Sequence, residues 1–335
     1  MDHRERFLSH FEGIVPDKMP MFLRNFTLGL DVIGCKSTDL FGERYDSELA
    51  SRSVLSFAKM TDQDAVIGCV HSPAFIFEQF GGCMKYTENG IPSVTEHPMS
   101  CPSKLDSADT VPKGKAEDAI RSYHITAEAG TDLAIIGNIT GPLTKASVLM
   151  GMENLSLALH NELDFVRDVI DIGMELSMTM LEEVSDDIDA VFIASATDNP
   201  TLFGADLVNS VSIPYVEEMA DTIYFMGKYS IYHPHGDYTN PVSMDAVLDT
   251  GIDCFQFAEE NDPVKIRELI ADRCVVMGGT DIVPFLHSGT PEEIRSETKR
   301  YLDVFSGSRY IFSCSCSLQR GTPISSIKEM CSCVR

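Results

Sequence analysis

The sequence predicts an α/β protein, a (β/α)8 barrel built as a single domain over residues 1–335. Three observations predict it. Roughly eight apolar runs alternate with helical stretches along the chain. The runs are apolar throughout, as strands of a parallel sheet covered by helices must be. Polar residues gather just behind the runs, where the βα loops of a barrel converge. A doubly wound open sheet is the second choice at this length.

Taken in order, residues 3–12 read as a short helix with Phe7, Leu8 and Phe11 as its apolar side, and residues 19–23 as the first strand, ending at Arg24. A helix over 47–60 and a strand over 64–68 follow. Residues 81–115, rich in Gly, Pro, Ser and Lys, read as an excursion from the core, a hairpin plus a loop. Beyond it the alternation is regular: helix 116–130, strand 133–137, helix from 144 to 150, one or two helices over 155–184, strand 190–194, helix 212–225 and strand 229–233. Helix 243–250, strand 254–257, helix 264–271 and strand 274–279 come next. A helix over 291–305 carries Thr290 as its cap, with Glu292 and Glu293 favouring its N-terminus. Strand 309–313 and helix 323–330 close the chain.

The chain is 44% hydrophobic with a net charge of −25, so it has ample core and should repel phosphate backbones; nucleic-acid binding is excluded. No apolar run approaches the ~20 residues that cross a bilayer, and no signal region follows the charged N-terminus, which predicts a cytoplasmic protein without a membrane anchor. In a reducing compartment the ten cysteines are thiols or metal ligands. The oligomeric state is left open, a homodimer among the alternatives.

The chemistry concentrates at two strand ends. Tyr-Ser-Ile-Tyr-His-Pro-His-Gly-Asp at 229–237 is an apolar run stopped by Pro and Gly. Residues two apart on a strand share a face, so His233 and His235 aim at one point beyond its carboxyl end. Arg-Tyr-Ile-Phe-Ser-Cys-Ser-Cys at 309–316 repeats the pattern with sulfur. Two His and one Cys make a zinc site with an open fourth position. Cys314 and Cys316 compete for the third place, and spacing does not choose between them; Cys331 and Cys333, in the tail, are expected to be unordered spectators. The other residues behind the strands are Arg24, Asn25, His71, Asn138, Thr140, Asp198, Asn199, Asp237, Gln256 and Asp281. Of these, Asp198 and Asp281 are candidate catalytic acids or bases, and Arg24, Asn138, Asn199 and Asp237 candidate substrate-binding residues; for Asp198 the competing reading is a turn-forming Asp-Asn-Pro.

Together these features resemble the uroporphyrinogen decarboxylase superfamily over nearly the whole chain. Residues 4–13 and Pro-Asp-Lys-Met-Pro at 16–20 are similar to its start, and Gly-Asn-Ile-Thr-Gly-Pro-Leu-Thr at 137–144 resembles its Gly-x-x-Gly-Pro-x-Thr segment. Residues 198–215, ending in Pro-Tyr, resemble the next segment, and Gly-Gly-Thr-Asp at 278–281 stands where the family has Gly-Asn-x-Asp. Cys-Ser-Leu-Gln-Arg-Gly-Thr-Pro at 316–323 matches the ending of one branch, the zinc-dependent, corrinoid-linked methyltransferases. The branch carries His-x-Cys-Gly and a late Cys; the resemblance places His233 on the first, His235 in the Cys position and Cys316 on the last. It implies zinc on these three, cobalamin on a corrinoid carrier protein, and a small-molecule methyl donor or acceptor. The decarboxylase reading is the runner-up: the family's Arg-Gln-Ala-Gly-Arg is here Arg-Asn-Phe-Thr-Leu at 24–28, without the second arginine. A non-catalytic barrel that only binds is the third. Histidine in place of cysteine at 235 leaves the metal more positive, which leans the expectation toward an O-methyl donor and transfer to cobalt(I).

Overall fold

The computed structural model describes residues 1–70, 72 and 74–335. Its strands are β1 (Ala65–Ile67), β2 (Cys83–Lys85), β3 (Ser93–Glu96), β4 (Ala134–Thr140), β5 (Ala190–Ser195), β6 (Tyr229–Pro234), β7 (Cys254–Gln256), β8 (Val275–Thr280) and β9 (Tyr310–Cys314). Seven of them form one parallel sheet in the order β1-β4-β5-β6-β7-β8-β9. Every residue of β4 and β5 is buried, which explains why their sequences lack a two-residue alternation: one face meets the barrel interior and the other meets the helices.

The eighth position of the barrel is held by the predicted first strand, in irregular form. Phe312 N donates to Pro20 O at 2.8 Å and Phe22 N to Phe312 O at 3.0 Å; Leu318 N donates to Arg24 O at 2.8 Å and Phe26 N to Leu318 O at 2.9 Å. On the other edge, Asp64 N donates to Met21 O at 2.8 Å. There the ladder is completed by side chains: Met21 N donates to Asp64 Oδ2 at 2.8 Å and Leu23 N to the Gln63 amide oxygen at 3.1 Å. Residues 20–25 thus close the sheet between β9 and β1 without a continuous main-chain ladder.

The excursion at 81–115 contains the antiparallel pair β2–β3, and Lys115 fastens it by reaching Glu78 and the Tyr86 hydroxyl, the latter at 2.6 Å. Several boundaries differ from expectation for local reasons. The first helix spans His3–Leu8; residues 9–13 continue as turns, with Phe11 N donating to Leu8 O and Ile14 N to Ser9 O. The stretch before 212 holds two short helices, Pro200–Phe203 and Ala205–Val211, hinged at Gly204. Behind β8 the chain forms a π-helix, Ile282–His287. The tail is ordered, contrary to expectation: Cys331 and Cys333 lie on the helix Ile324–Val334, and Cys331 is buried.

Three helices around the barrel mouth share one starting device. Asn199-Pro200, Asn240-Pro241 and Asp262-Pro263 each place a side-chain acceptor at the cap and Pro in the first turn. Thr290 caps Pro291–Val304 through a reciprocal pair with Glu293.

At the opposite end, one carboxylate gathers both termini. Asp64 is fully buried and accepts from His3 Nδ1 at 2.8 Å, Arg6 at 2.8 Å and Arg335 at 2.7 Å. Truncating one partner of a buried ionic network leaves charge uncompensated, at a cost of about 3–5 kcal/mol. Asp64→Ala is therefore expected to lower unfolding stability by about 3 kcal/mol or more, measured by urea denaturation; a change below about 1 kcal/mol would show that the termini are not clasped there.

Candidate metal centre

His233 lies in β6, its backbone opposite Ala194 of β5. β6 ends at Pro234, yet His235 still donates its N–H to Ser195 O at 3.2 Å, so the second histidine extends the line of the strand. The chain then turns sharply at Gly236, with φ +98° and a position where a Cβ would meet Asn199 Oδ1 at 2.3 Å. Only glycine fits that exit.

Cys316 comes from two residues beyond β9, across the mouth from β6. Its Sγ lies 3.4 Å from His235 Nε2, and the ligand atoms of His233, His235 and Cys316 all fall within 4.8 Å of one another. A tetrahedral zinc separates such a nitrogen and sulfur by about 3.6 Å. Cys314 points the other way: it is buried with its Sγ 3.9 Å from Met330 Sδ, and burial raises its thiol well above the ordinary value.

Both imidazoles are oriented from behind. His233 Nδ1 lies 3.2 Å from Gln256 O; facing a carbonyl, this nitrogen must be the donor, which leaves Nε2 with a free lone pair. That Nε2 is buried and has no hydrogen-bond partner. His235 Nδ1 lies 3.5 Å from Glu260 Oε1. Such acceptors behind metal-ligating histidines fix tautomer and ring direction. Gln256 also ties the two sides of the mouth, its Nε2 donating to Cys314 O at 3.1 Å and Ser313 Oγ at 3.3 Å.

The electrostatics agree with a ligand set. Burial lowers His233, keeping it neutral. Burial would raise the Cys316 thiol, but the two imidazoles overcome it and hold it well below its ordinary value. Burial also opposes protonation of His235, yet Cys316 and Glu260 lift it to about 10. The neutral imidazole of His233, its buried and unpartnered Nε2, and the Cys316 thiol held below its ordinary value fit a borderline-soft cation such as zinc.

A cavity of about 340 Å³ opens beside Cys316, lined also by Glu259, Asp281, Val283, His287 and Arg320. Of the residues singled out in the sequence, Asp281 and Cys316 line it. Arg24 and Asn138 meet each other, an Arg24 terminal nitrogen donating to Asn138 Oδ1 at 3.1 Å. The Arg24 guanidinium sits 4.8 Å from the Phe26 ring centroid and 4.6 Å from that of Phe192; burial lowers it to about 10, against the pull of Cys316. Asp198 is fully buried and accepts from Leu143 N at 3.0 Å, Thr144 Oγ1 at 3.1 Å and the Ser212 hydroxyl. Asn199 caps its helix by accepting from Thr201 N and Leu202 N. Asp237 accepts from Thr239 N at 2.8 Å and stays exposed. His71 lies outside the described residues. Glu260 went unnoticed in the sequence; its only signal there is its place just behind β7.

The sequence profile of the uroporphyrinogen decarboxylase (URO-D) family matches residues 2–335. The methylcobamide:CoM methyltransferase MtbA of Methanosarcina mazei is 24% identical over 252 residues, covering 73% of this chain and 71% of that protein. The methylcobamide:CoM methyltransferase MtaA of Methanosarcina barkeri is 24% identical over 251 residues, with the same coverage. A solved methyltransferase structure from Methanosarcina mazei superposes with a TM-score of 0.86 at 21% identity, over 99% of this chain and 98% of that one. Among the described residues no helix is long and apolar enough to cross a membrane. The chain belongs to the uroporphyrinogen decarboxylase family, and within that family its similarity runs to methyltransferases.

Proposed function

We propose that this protein is a zinc-dependent methyltransferase that moves a methyl group between a small molecule and the cobalamin of a separate corrinoid carrier protein, favouring an O-methyl donor and transfer to cobalt(I). The observation that carries the reading is the convergence of His233, His235 and Cys316, whose ligand atoms lie within 4.8 Å of one another, with an acceptor behind each imidazole at Nδ1. His233, His235 and Cys316 would hold the zinc, which supplies Lewis acidity to the heteroatom that carries the methyl group.

The chain's own residues supply the rest. Gln256 O and Glu260 fix the directions of the imidazoles. The cavity beside Cys316 has the size of a small-molecule site. Arg24, a buried cation between two aromatic rings, places positive charge near Cys316 and reduces the electron donation of the thiolate; Asn138 holds it there by accepting from its guanidinium. Asn199 and the turn at Asp237 shape the loop behind His235. Asp198 braces the start of helix Pro142–Met150 against Ser212. One thiolate with two neutral imidazoles leaves the cation more positive than two thiolates would, which favours departure of an oxygen leaving group. Transfer from a methyl-corrinoid to a thiol is the second direction. A polyanionic porphyrinogen fits less well: Glu259 and Asp281 line the cavity, and its Arg320 is paired with Asp31.

Metal analysis tests the site. The purified protein is expected to hold about one zinc per chain, lost in His233→Ala and Cys316→Ser but kept in Cys314→Ser, whose thiol faces Met330. Glu260→Gln is expected to weaken zinc binding by about 10–100-fold, read by competition with a chelator. The activity test is methylation of free cob(I)alamin with methoxylated aromatics, methanol, methylamines and methylated thiols. Turnover of at least one methoxy compound is expected; turnover of uroporphyrinogen alone would restore the decarboxylase reading.

A further inference from the structure

We propose that Asp281 exchanges a proton with the heteroatom that gains or loses the methyl group, acting as general acid toward an ether oxygen and general base toward a thiol. This rests on the methyl-transfer reading above, and adds to it the group that handles the proton.

The placement follows from register. Thr280 of β8 is paired with Cys314 of β9, and Ser315 N donates to Thr280 O at 3.3 Å. Asp281 and Cys316 therefore leave neighbouring strands side by side and both line the 340 Å³ cavity. Asp281 stands at the cap of the π-helix Ile282–His287, but its side chain caps nothing. π-Helical turns often mark functional sites because they re-aim a residue. Among the described residues its carboxyl has no salt-bridge partner; the Tyr301 hydroxyl reaches Oδ1 at 3.4 Å.

The other charged groups around the cavity are occupied or exposed. Arg320, behind β9, is bound to Asp31. Glu297, from helix Pro291–Val304, is bound to Arg300 at 2.6 and 2.9 Å. Glu259, behind β7, and His287, on the π-helix, face solvent. Asp281 is the half-buried carboxyl among them. Burial, then the negative charges of Glu297 and Glu259, push it up to about 6, with Tyr301 and Arg300 acting in the opposite sense. A group titrating there both gives and takes protons near neutrality.

The steps balance in both directions. With an ether, the C–O bond breaks and its electron pair stays on oxygen. The proton of Asp281 passes to that oxygen, and the methyl group bonds to the electron pair of the carrier's cobalt(I). With a thiol, the S–H proton passes to Asp281 and a sulfur pair bonds to the methyl group. The pair of the broken Co–C bond then stays on cobalt.

The test uses full-length, zinc-loaded protein and the variants Asp281→Asn and Asp281→Glu. Calorimetry at pH 6 with 2-mercaptoethanol, in two buffers of different ionisation enthalpy, counts protons released to solvent. Asp281 is about half ionised there, and an anionic thiolate bound beside it favours its protonated form, so the wild type is expected to release about half a proton per thiol bound and Asp281→Asn close to one. In cob(I)alamin methylation, Asp281→Asn is expected to lose about 10²–10³-fold with anisole but only a few-fold with 4-nitroanisole, whose phenolate needs no proton; Asp281→Glu restores part of the loss. Equal proton counts, or an equal loss with both ethers, would overturn the assignment while leaving methyl transfer intact. A wild type that neither binds the thiol nor methylates cobalamin would remove the methyl-transfer reading and this one with it.

Discussion

The centre depends on a carbonyl and a carboxylate that meet the two imidazoles from behind. A neutral imidazole presents either nitrogen, and nothing in the side chain itself selects one. The Gln256 carbonyl and the Glu260 carboxylate make the selection, turning both Nε2 atoms toward Cys316. The buried, partnerless Nε2 of His233 is the clearest consequence. An orphaned buried polar atom costs about 1–3 kcal/mol, a cost that a bound cation removes.

The barrel makes this meeting geometrically necessary. β6 and β9 are separated by two strands in the sheet, so their ends face each other only because the sheet curls and closes. Closure rests on residues 20–25, which pair with Phe312 and Leu318 on one edge and are completed by Asp64 and Gln63 on the other. Asp64 also gathers Arg6 and Arg335, so the same carboxylate that completes the ladder fastens both ends of the chain. The site and the clasp sit at opposite ends of one structure, and the second holds the geometry on which the first depends.

Much of this was legible in the sequence, for physical reasons that differ from place to place. Buried parallel strands announce themselves as short apolar runs, and the runs ending at His233 and Ser313 were found that way. The shared face of His233 and His235 follows from the two-residue period of a strand. Local patterning could not decide between Cys314 and Cys316, because residues two apart on a strand share a face and only the bend after Cys314, where β9 ends, separates their directions; the resemblance chose Cys316, and the packing of Cys314 on Met330 supplies the physical reason. Glu260 escaped notice because its partner lies 25 residues away on another loop. Asn199 drew attention as a polar residue behind a strand, while the Asn-Pro step it begins, repeated after β6 and as Asp-Pro after β7, is a helix-start signal. The π-helix behind β8 left no periodic trace in six residues.

X-ray absorption at the zinc edge tests the central claim most directly, since it reads the identity of the ligating atoms without reference to any substrate. The account predicts a first shell of two imidazole nitrogens at about 2.0 Å and one sulfur at about 2.3 Å, with one further light atom from solvent. A shell without sulfur, a shell with two or more sulfurs, or a purified protein that binds no zinc would contradict it.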